Sequence, residues 1–198
     1  MKILAFTDIH GSVRAIKKIA KKAKKEKPEL MICAGDISMF EHGLDYLMHK
    51  INESGIPALI IHGNHETEAR LKRACSLFKN TICLHNHSFE KNGCLFIGYG
   101  GGGFSMADRK FEKAMKKFDG KIKKAKKFIL IIHQPPYKTK LDMVMDVHCG
   151  NKSFTRFIKE KKPSLVICGH LHENEGKEDK IGKTRIVNPG PFGKILMV

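Results

Sequence analysis

The sequence predicts an α/β protein in which short apolar strands alternate with amphipathic helices. Five apolar runs each stop abruptly at polar residues, a pattern typical of buried strands that end at a sheet edge. The segments between several of these runs carry apolar residues at helical spacing, with lysines at the intervening positions. At 198 residues, the chain is predicted to form one domain, 1–198, that can bury a substantial core.

The first half of the chain is predicted to alternate strictly between strand and helix. Ser12 is a suitable N-cap for the first helix, and Pro28 follows its predicted end. The predicted strands cover 4–6, 30–34 and 59–61, and the predicted helices cover 13–26, 42–53 and a segment after 66.

The second half begins with consecutive strands and then returns to alternation. Turn signals at His85-Asn86 and Asn92-Gly93 separate the consecutive strands. The predicted strands cover 81–84, 87–90, 94–99, 129–132 and 165–168, the helices cover 108–126 and 152–161, and the tail holds two or three strands around 188–191. Residues 137–150 show no clear period, and their length makes them a candidate substrate loop.

The charge of the chain favours anionic partners. Its 37 basic and 20 acidic residues give a net charge of +17, which would attract phosphate esters and, non-specifically, nucleic acid. In the lysine run 17–27, however, the apolar residues mark one helical face, so the lysines are expected to be solvated on the other face. A small phosphate ester or nucleotide is therefore the predicted substrate, and nucleic acid is only weakly supported.

Two further features indicate the cellular setting. No apolar run approaches the roughly 18 residues of a membrane span, so we expect a soluble, cytoplasmic protein without a membrane partner. The six cysteines form no C-x-x-C pair, which favours reduced thiols over disulfides or a structural zinc site. The sequence does not indicate an oligomeric state.

Metal-ligand residue types follow the five apolar runs. These candidate ligands are Asp8, His10, Asp36, Asn64, His133, His170 and His172. A mixed nitrogen and oxygen set without thiolates suits Mn, Fe, Zn, Ni or Co better than Ca or a structural zinc. Seven ligands are too many for one ion, so if Asp36 bridges, two sites form about 3.5 to 4 Å apart. We therefore predict two divalent transition-metal ions as cofactors, with manganese as the first choice.

The spacing of these residues resembles a known family. The ordered blocks Asp8-x-His10, Gly35-Asp36, Gly63-Asn64-His65-Glu66, His133 and Gly169-His170-x-His172 are similar to those of the calcineurin-like metallophosphoesterase superfamily. With the Asn188-Pro189-Gly190 tail, the resemblance covers nearly the whole chain. One departure is Met39, where many members carry a second Asp after the Gly-Asp pair.

The resemblance implies a four-layer α/β/β/α sandwich of two mixed β-sheets flanked by helices. It implies one metal bound by Asp8, His10, Asp36 and His172, and a second bound by Asp36, Asn64, His133 and His170. His65 would contact the phosphate and assist the leaving group, so the implied catalytic residues are His65, Asp36 and Asn64. The other six histidines, 42, 49, 62, 85, 87 and 148, are expected to have no role in the site, and His148 is the least secure of these.

These patterns leave three functions open. The leading one is dimetal-dependent hydrolysis of phosphate esters, with diesters favoured because no cap domain would cover the site. In that reaction a hydroxide held between the metals would attack phosphorus while His65 assists the leaving group. The alternatives are a nucleotidase or nuclease, and a non-catalytic metal-binding scaffold, as in the retromer subunit of similar fold. Intact ligand and His65 positions favour the enzyme.

Overall fold

Two mixed β-sheets pack face to face in the computed structural model, which describes residues 1–198. The strands are β1 (Lys2–Phe6), β2 (Leu30–Cys33), β3 (Ala58–Ile60), β4 (Thr81–Cys83), β5 (His87–Lys91), β6 (Cys94–Tyr99), β7 (Lys127–Ile132), β8 (Met143–Val144), β9 (Val147–His148), β10 (Leu165–Ile167), β11 (Glu178–Ile181), β12 (Thr184–Val187) and β13 (Lys194–Met197). The helices are α1 (Val13–Glu26), α2 (Leu44–Asn52), α3 (Glu68–Ser76), α4 (Arg109–Met115), α5 (Asp119–Lys124) and α6 (Lys152–Lys161). The strand orders are β13-β1-β2-β3-β4 and β11-β12-β10-β7-β6-β5, and β8 and β9 form a separate hairpin.

The strands are apolar at every position because both faces of each sheet are buried. In β1, Leu4 and Phe6 pack against the helices α1, α2 and α3, whereas Ile3 and Ala5 pack between the two sheets. Since successive side chains of a strand point to opposite faces, a strand covered on both sides must be apolar at every position. The same rule applies in the second sheet, where Ile129 faces the first sheet and Leu130 faces the helices α4 and α6.

The structure therefore has four layers, in the order helices, sheet, sheet, helices. Three buried apolar clusters separate these layers, one between the sheets and one under each set of helices. The predicted α/β/β/α sandwich is confirmed. No helix combines the length and the apolar composition that a membrane span requires.

Side-chain caps fix where several helices begin. The Ser12 hydroxyl accepts a hydrogen bond from the Ala15 amide at 3.2 Å and starts α1, as predicted. Thr67 caps α3 and Asn151 caps α6 in the same way. These caps matter for function because α1 and α3 each start directly after a loop that leaves a strand of the first sheet.

Two sequence predictions need correction. The helix predicted over 108–126 is interrupted by a 3₁₀ turn at Lys116–Phe118. Residues three apart lie on one side of a 3₁₀ turn, which lets Met115 and Phe118 both reach the core under the second sheet. The predicted loop 137–150 contains the β8–β9 hairpin. These two-residue strands are too short to leave a hydrophobic period in the sequence.

Parallel pairing brings five strand ends to one side of the molecule. β1, β2 and β3 are parallel neighbours in the first sheet, and β7 and β10 are parallel neighbours in the second. Ligands of open α/β sheets gather outside the carboxyl ends of parallel strands. The loops that leave these five ends carry all the candidate metal ligands.

Candidate metal centre

The structure brings all seven predicted metal ligands together beyond the five strand ends. Three overlapping groups of donor atoms each fit within the reach of one ion, and they are Asp8, His10 and His172; Asp36, His133 and His170; and His10, Asp36 and His65. The first two groups each contain three of the four ligands of one metal site implied by the family resemblance. The third also places His65 within reach of a metal.

The first group lies at the end of β1 and beside the 3₁₀ turn His172–Asn174. The Nε2 atoms of His10 and His172 lie 3.0 Å apart. They lie 3.8 and 3.9 Å from Asp8 Oδ1, respectively. Two imidazole nitrogens and a carboxylate oxygen thus converge on a single point, as the ligands of one transition-metal ion do.

The second group is more deeply buried. His133 Nε2 lies 3.2 Å from Asp36 Oδ2 and 3.1 Å from Asn64 Oδ1. The rings of His133 and His170 are 5.2 Å apart. Asp36 Oδ2 also lies 3.8 Å from His10 Nε2, in the first group. The Asp36 carboxylate therefore lies between the two groups and contacts a histidine of each.

The backbone at these ligands is held in an unusual conformation. Asp8, His10, Asp36 and His170 all have positive φ, between 47° and 72°. For residues other than glycine, such angles cost on the order of 1–3 kcal/mol each and concentrate at functional sites. Hydrogen bonds hold the strained loops in place, because Asp8 accepts from the His170 amide at 3.0 Å and Asp36 accepts from the His65 amide at 2.9 Å.

Two glycines of the predicted blocks let the loops approach the carboxylates. A Cβ atom on Gly63 would overlap the Asp36 carboxylate, and one on Gly169 would overlap the Asp8 carboxylate and the Thr7 hydroxyl. Neither neighbour can move away without displacing a candidate ligand. The glycine of each block is thus required by the close packing of the site.

Glu66 has a supporting role that the sequence did not indicate. Its buried carboxylate accepts hydrogen bonds from the amide and the hydroxyl of Ser38, at 2.7 and 2.8 Å, and from the Gly63 amide at 3.3 Å. It therefore ties the loop after Asp36 to the loop that carries Asn64. Burial raises the pKa of Glu66, although the Ser38 hydrogen bonds oppose that shift.

The donor atoms fit a metal centre by their chemistry. Nδ1 of His65 and Nε2 of His170 are buried and have no hydrogen-bond partner. Such atoms are rare in native proteins, and a bound ion is one of the explanations for them. His133 Nδ1 lies 2.8 Å from the Ala34 carbonyl, which orients the ring and leaves Nε2 to face Asp36. Metal-binding histidines are commonly oriented by such a second hydrogen bond.

Asp36 and His133 form a buried acid–base pair. Burial alone would lower the pKa of His133, but the hydrogen bond and the charge of Asp36 raise it to about 9. Burial opposes ionisation of Asp36 too, yet the contact with His133 brings the pKa of the carboxyl below its usual range. Burial, followed by the nearby His133 charge, lowers the pKa of His170 to about 4. Without metal, the pair thus holds one proton that a metal on His133 must displace.

This proton predicts a pH-dependent metal affinity. Below the His133 pKa of about 9, each ion that binds His133 releases the proton. The apparent affinity should therefore rise about tenfold per pH unit between roughly pH 6 and pH 8.5. Competition titrations of Mn²⁺ against a chelator would measure this slope, with proton release followed in a weakly buffered solution. An affinity that does not change with pH would show that His133 is neutral in the metal-free protein.

The remaining histidines lie outside the cluster of ligands. His148 Nδ1 contacts the buried Asp142 carboxylate at 2.7 Å within the 137–150 segment. His85 is buried, accepts a hydrogen bond from the Gly100 amide at 2.9 Å and packs on His62. None of the six histidines set aside in the sequence belongs to a candidate metal group.

Two aromatic residues at the site were missed in the sequence. The Phe40 ring packs on the His65 ring, and the Phe104 ring packs on the His170 ring. Both belong to loops without hydrophobic periodicity, so no pattern marks them. Met39, at the departure from the family pattern, is exposed beside Phe40.

Comparison with known proteins places the chain in a family. The model of the family described as calcineurin-like phosphoesterase matches residues 1–174. The chain belongs to the calcineurin-like phosphoesterase family. One relative by sequence is the uncharacterized protein MJ1162 of Methanocaldococcus jannaschii. It is 31% identical to this chain, and the match covers 96% of this chain and 88% of the relative.

Solved structures show the same fold at low sequence identity. The protein TT1561 of Thermus thermophilus has a TM-score of 0.80 at 18% identity, with 96% of this chain and 89% of that chain covered. A dimetal phosphatase from Danio rerio has a TM-score of 0.66 at 9% identity, with 94% and 86% covered. The calcineurin-like phosphoesterases are dimetal-dependent hydrolases, and this chain presents histidine and aspartate groups that could bind metal.

Proposed function

We propose that the protein is a dimetal-dependent phosphodiesterase. The observation that carries this proposal is the position of Asp36, whose Oδ2 lies 3.2 Å from His133 Nε2 in one donor group and 3.8 Å from His10 Nε2 in the other. A shared carboxylate between two sets of nitrogen and oxygen donors suits a pair of divalent transition metals. Manganese is the first choice among Mn, Fe, Ni, Zn and Co.

The bound metals would supply Lewis-acid activation of the phosphoryl group and hydroxide at neutral pH. The residues of the chain would orient that chemistry. Asp36 and Asn64 would bind the metals and fix their positions, Asn64 through its Oδ1 atom beside His133. His65, whose amide hydrogen bond to Asp36 positions it at the edge of the cluster, would donate a proton to the leaving oxygen.

The surroundings of the cluster support direct hydrolysis without a covalent intermediate. The Ser12 hydroxyl is used to cap α1, and the Ser38 hydroxyl donates to Glu66. Ser38 is fully buried, and the Glu66 carboxylate that it contacts already accepts two backbone amides, so neither serine is available as a nucleophile. The side chains of Asp8 and Asp36 are buried among the imidazoles, which supports a role for both carboxylates as ligands and not as nucleophiles.

The openness of the site supports diesters over monoesters. His172 is exposed and His65 is partly exposed, and the nearby apolar residues Phe40 and Phe104 are exposed. A site at an open edge leaves room for a substituent on both sides of the phosphate. A monoester needs only one such side.

A substrate panel tests this function. Protein reconstituted with Mn²⁺ should hydrolyse bis(4-nitrophenyl) phosphate faster than 4-nitrophenyl phosphate, measured as kcat/KM from nitrophenolate release. Metal-free protein and protein treated with a chelator serve as controls and should be inactive. Failure to hydrolyse any ester with full metal loading would favour the scaffold alternative, and faster hydrolysis of the monoester would overturn the diesterase assignment.

A further inference from the structure

Two phenylalanines flank the metal centre with most of their surface in water. Phe40 and Phe104 are each 68% exposed. The Phe40 ring lies 4.4 Å from the His65 ring, and the Phe104 ring lies 5.0 Å from the His170 ring, centroid to centroid. Because both rings remain largely solvated, burial in the fold does not explain their presence.

Phe40 lies in a turn whose conformation disfavours it. The turn runs from Met39 to His42, and the His42 amide donates to the Met39 carbonyl at 3.0 Å. The two central residues, Phe40 and Glu41, have φ values of 49° and 67°. Two consecutive positive φ angles are typical of a type I′ turn, which strongly prefers Asn and Gly. A bulky aromatic residue in this position is an outlier of the kind found at functional sites.

The strained turn is fastened to the rest of the site. The Glu41 carboxylate accepts hydrogen bonds from the amide and the hydroxyl of Thr67, at 2.9 and 2.8 Å. Thr67 caps α3 and lies two residues after His65 in the chain. The Phe40 ring is therefore held in a defined position over the His65 imidazole.

Phe104 is presented by a different device. Gly101, Gly102 and Gly103 before it all have positive φ, a conformation that few other residues could adopt three times in succession. After it, the Ser105 carbonyl accepts from Gln134 Nε2 at 3.0 Å and from Asn151 Nδ2 at 2.9 Å. Gln134 is fully buried and directly follows His133. These hydrogen bonds anchor the residue after Phe104 next to the metal centre.

We infer that Phe40 and Phe104 are two aromatic walls of the substrate site, and that the substrates are phosphodiesters bearing an aromatic ring beside the scissile phosphate, as nucleotidyl esters do. This inference rests on the proposed function. Phe40 contacts His65, so it stacks on the ring of the leaving group. Phe104 contacts His170, which belongs to the donor group of Asp36 and His133, so it stacks on the base of the nucleotidyl group that retains the phosphate. Solvated aromatic side chains bind bases by stacking with little dependence on sequence.

The kinetic test uses two esters with the same leaving group. Thymidine 5′-(4-nitrophenyl phosphate) carries a base, whereas methyl 4-nitrophenyl phosphate does not. Phe104→Ala should raise KM about tenfold for the thymidine ester only, because each stacked base contributes roughly that much to binding. Phe40→Asn should raise KM for both esters by a similar factor, because both release a nitrophenol ring. Asn suits the positive φ, so this variant should have an unchanged or higher Tm.

A matched control and a binding measurement complete the test. Tyr46, 53% exposed on α2, is an aromatic residue without contact to a candidate metal ligand, so Tyr46→Ala should change neither KM. The chain has no tryptophan, so emission from 2-aminopurine riboside 5′-monophosphate can report stacking directly. Wild-type protein should quench this emission, and Phe104→Ala with unchanged metal content should quench it less.

The outcomes separate this inference from the proposed function. If the protein hydrolyses both esters and the two phenylalanine variants match the wild type in KM and in quenching, the aromatic walls are wrong and the diesterase stands. If no ester is hydrolysed but quenching depends on Phe104, the base-binding wall stands and the diesterase is wrong.

Discussion

Asp36→Asn is expected to remove both metal ions from the protein and to reduce hydrolysis to background. Asp36 is the one carboxylate placed between the two donor groups, 3.2 Å from His133 Nε2 and 3.8 Å from His10 Nε2. Loss of a partner that only orients a ligand already costs roughly 10- to 100-fold in metal affinity, so loss of a shared ligand should cost more than about 100-fold. The asparagine keeps an oxygen for the His65 amide, which limits damage to the loop.

Metal content by mass spectrometry after Mn²⁺ loading would measure this effect. Asp108→Asn is the matched control, because Asp108 caps α4 and asparagine caps helices equally well. The control should bind as much metal as the wild type. If Asp36→Asn lost one ion and kept the other with unchanged affinity, Asp36 would be a ligand of a single site and the bridged centre would be wrong.

The strand ends were predictable because a buried strand appears in the sequence as an apolar run, and the polar ligands appear directly after it. A strand covered on both faces must be apolar at every position, so the runs before Asp8, Asp36, Asn64, His133 and His170 stand out. Parallel pairing then places the ends within each sheet at one edge, and the packing of the two sheets brings the two edges together. The apolar runs therefore indicated which polar residues would converge, and the family resemblance divided them between two metals.

The aromatic walls were not predictable by the same reasoning. Phe40-Glu41 is a sequence that no turn rule assigns to a type I′ turn, since the preferred residues there are Asn and Gly. The conformation is imposed by tertiary contacts, above all by the hydrogen bonds of Glu41 to Thr67. Contacts between residues 26 positions apart leave no local signal in the sequence.

The role of Glu66 was hidden for a related reason. Its position in the Gly63-Asn64-His65-Glu66 block was recognised, but its partner Ser38 lies 28 residues earlier, in the loop after Asp36. The carboxylate joins two loops that belong to neighbouring parallel strands. Only the fold shows that these loops are adjacent. The buried Glu66 carboxylate then connects them through its hydrogen bonds to Ser38 and Gly63.

His65→Ala is expected to keep both metals and to lose turnover in a way that depends on the leaving group. General acid assistance is worth about 10²- to 10⁴-fold, so esters with a poor alkoxide leaving group should lose that much in kcat. Esters that release nitrophenolate need little protonation and should lose far less. His87→Ala, at an exposed histidine on β5, is the control and should match the wild type with both classes of ester.

Two measurements decide between this role and the alternatives that the geometry allows. The His10, Asp36 and His65 donor atoms lie close enough to bind one ion, so loss of metal in His65→Ala would make His65 a ligand and remove it from proton transfer. A chiral thiophosphate diester should be hydrolysed with inversion at phosphorus, because neither Ser12 nor Ser38 is free to act as a nucleophile. Retention would require a phosphoryl-enzyme intermediate, and the leaving group that His65 assists would then depart before water enters.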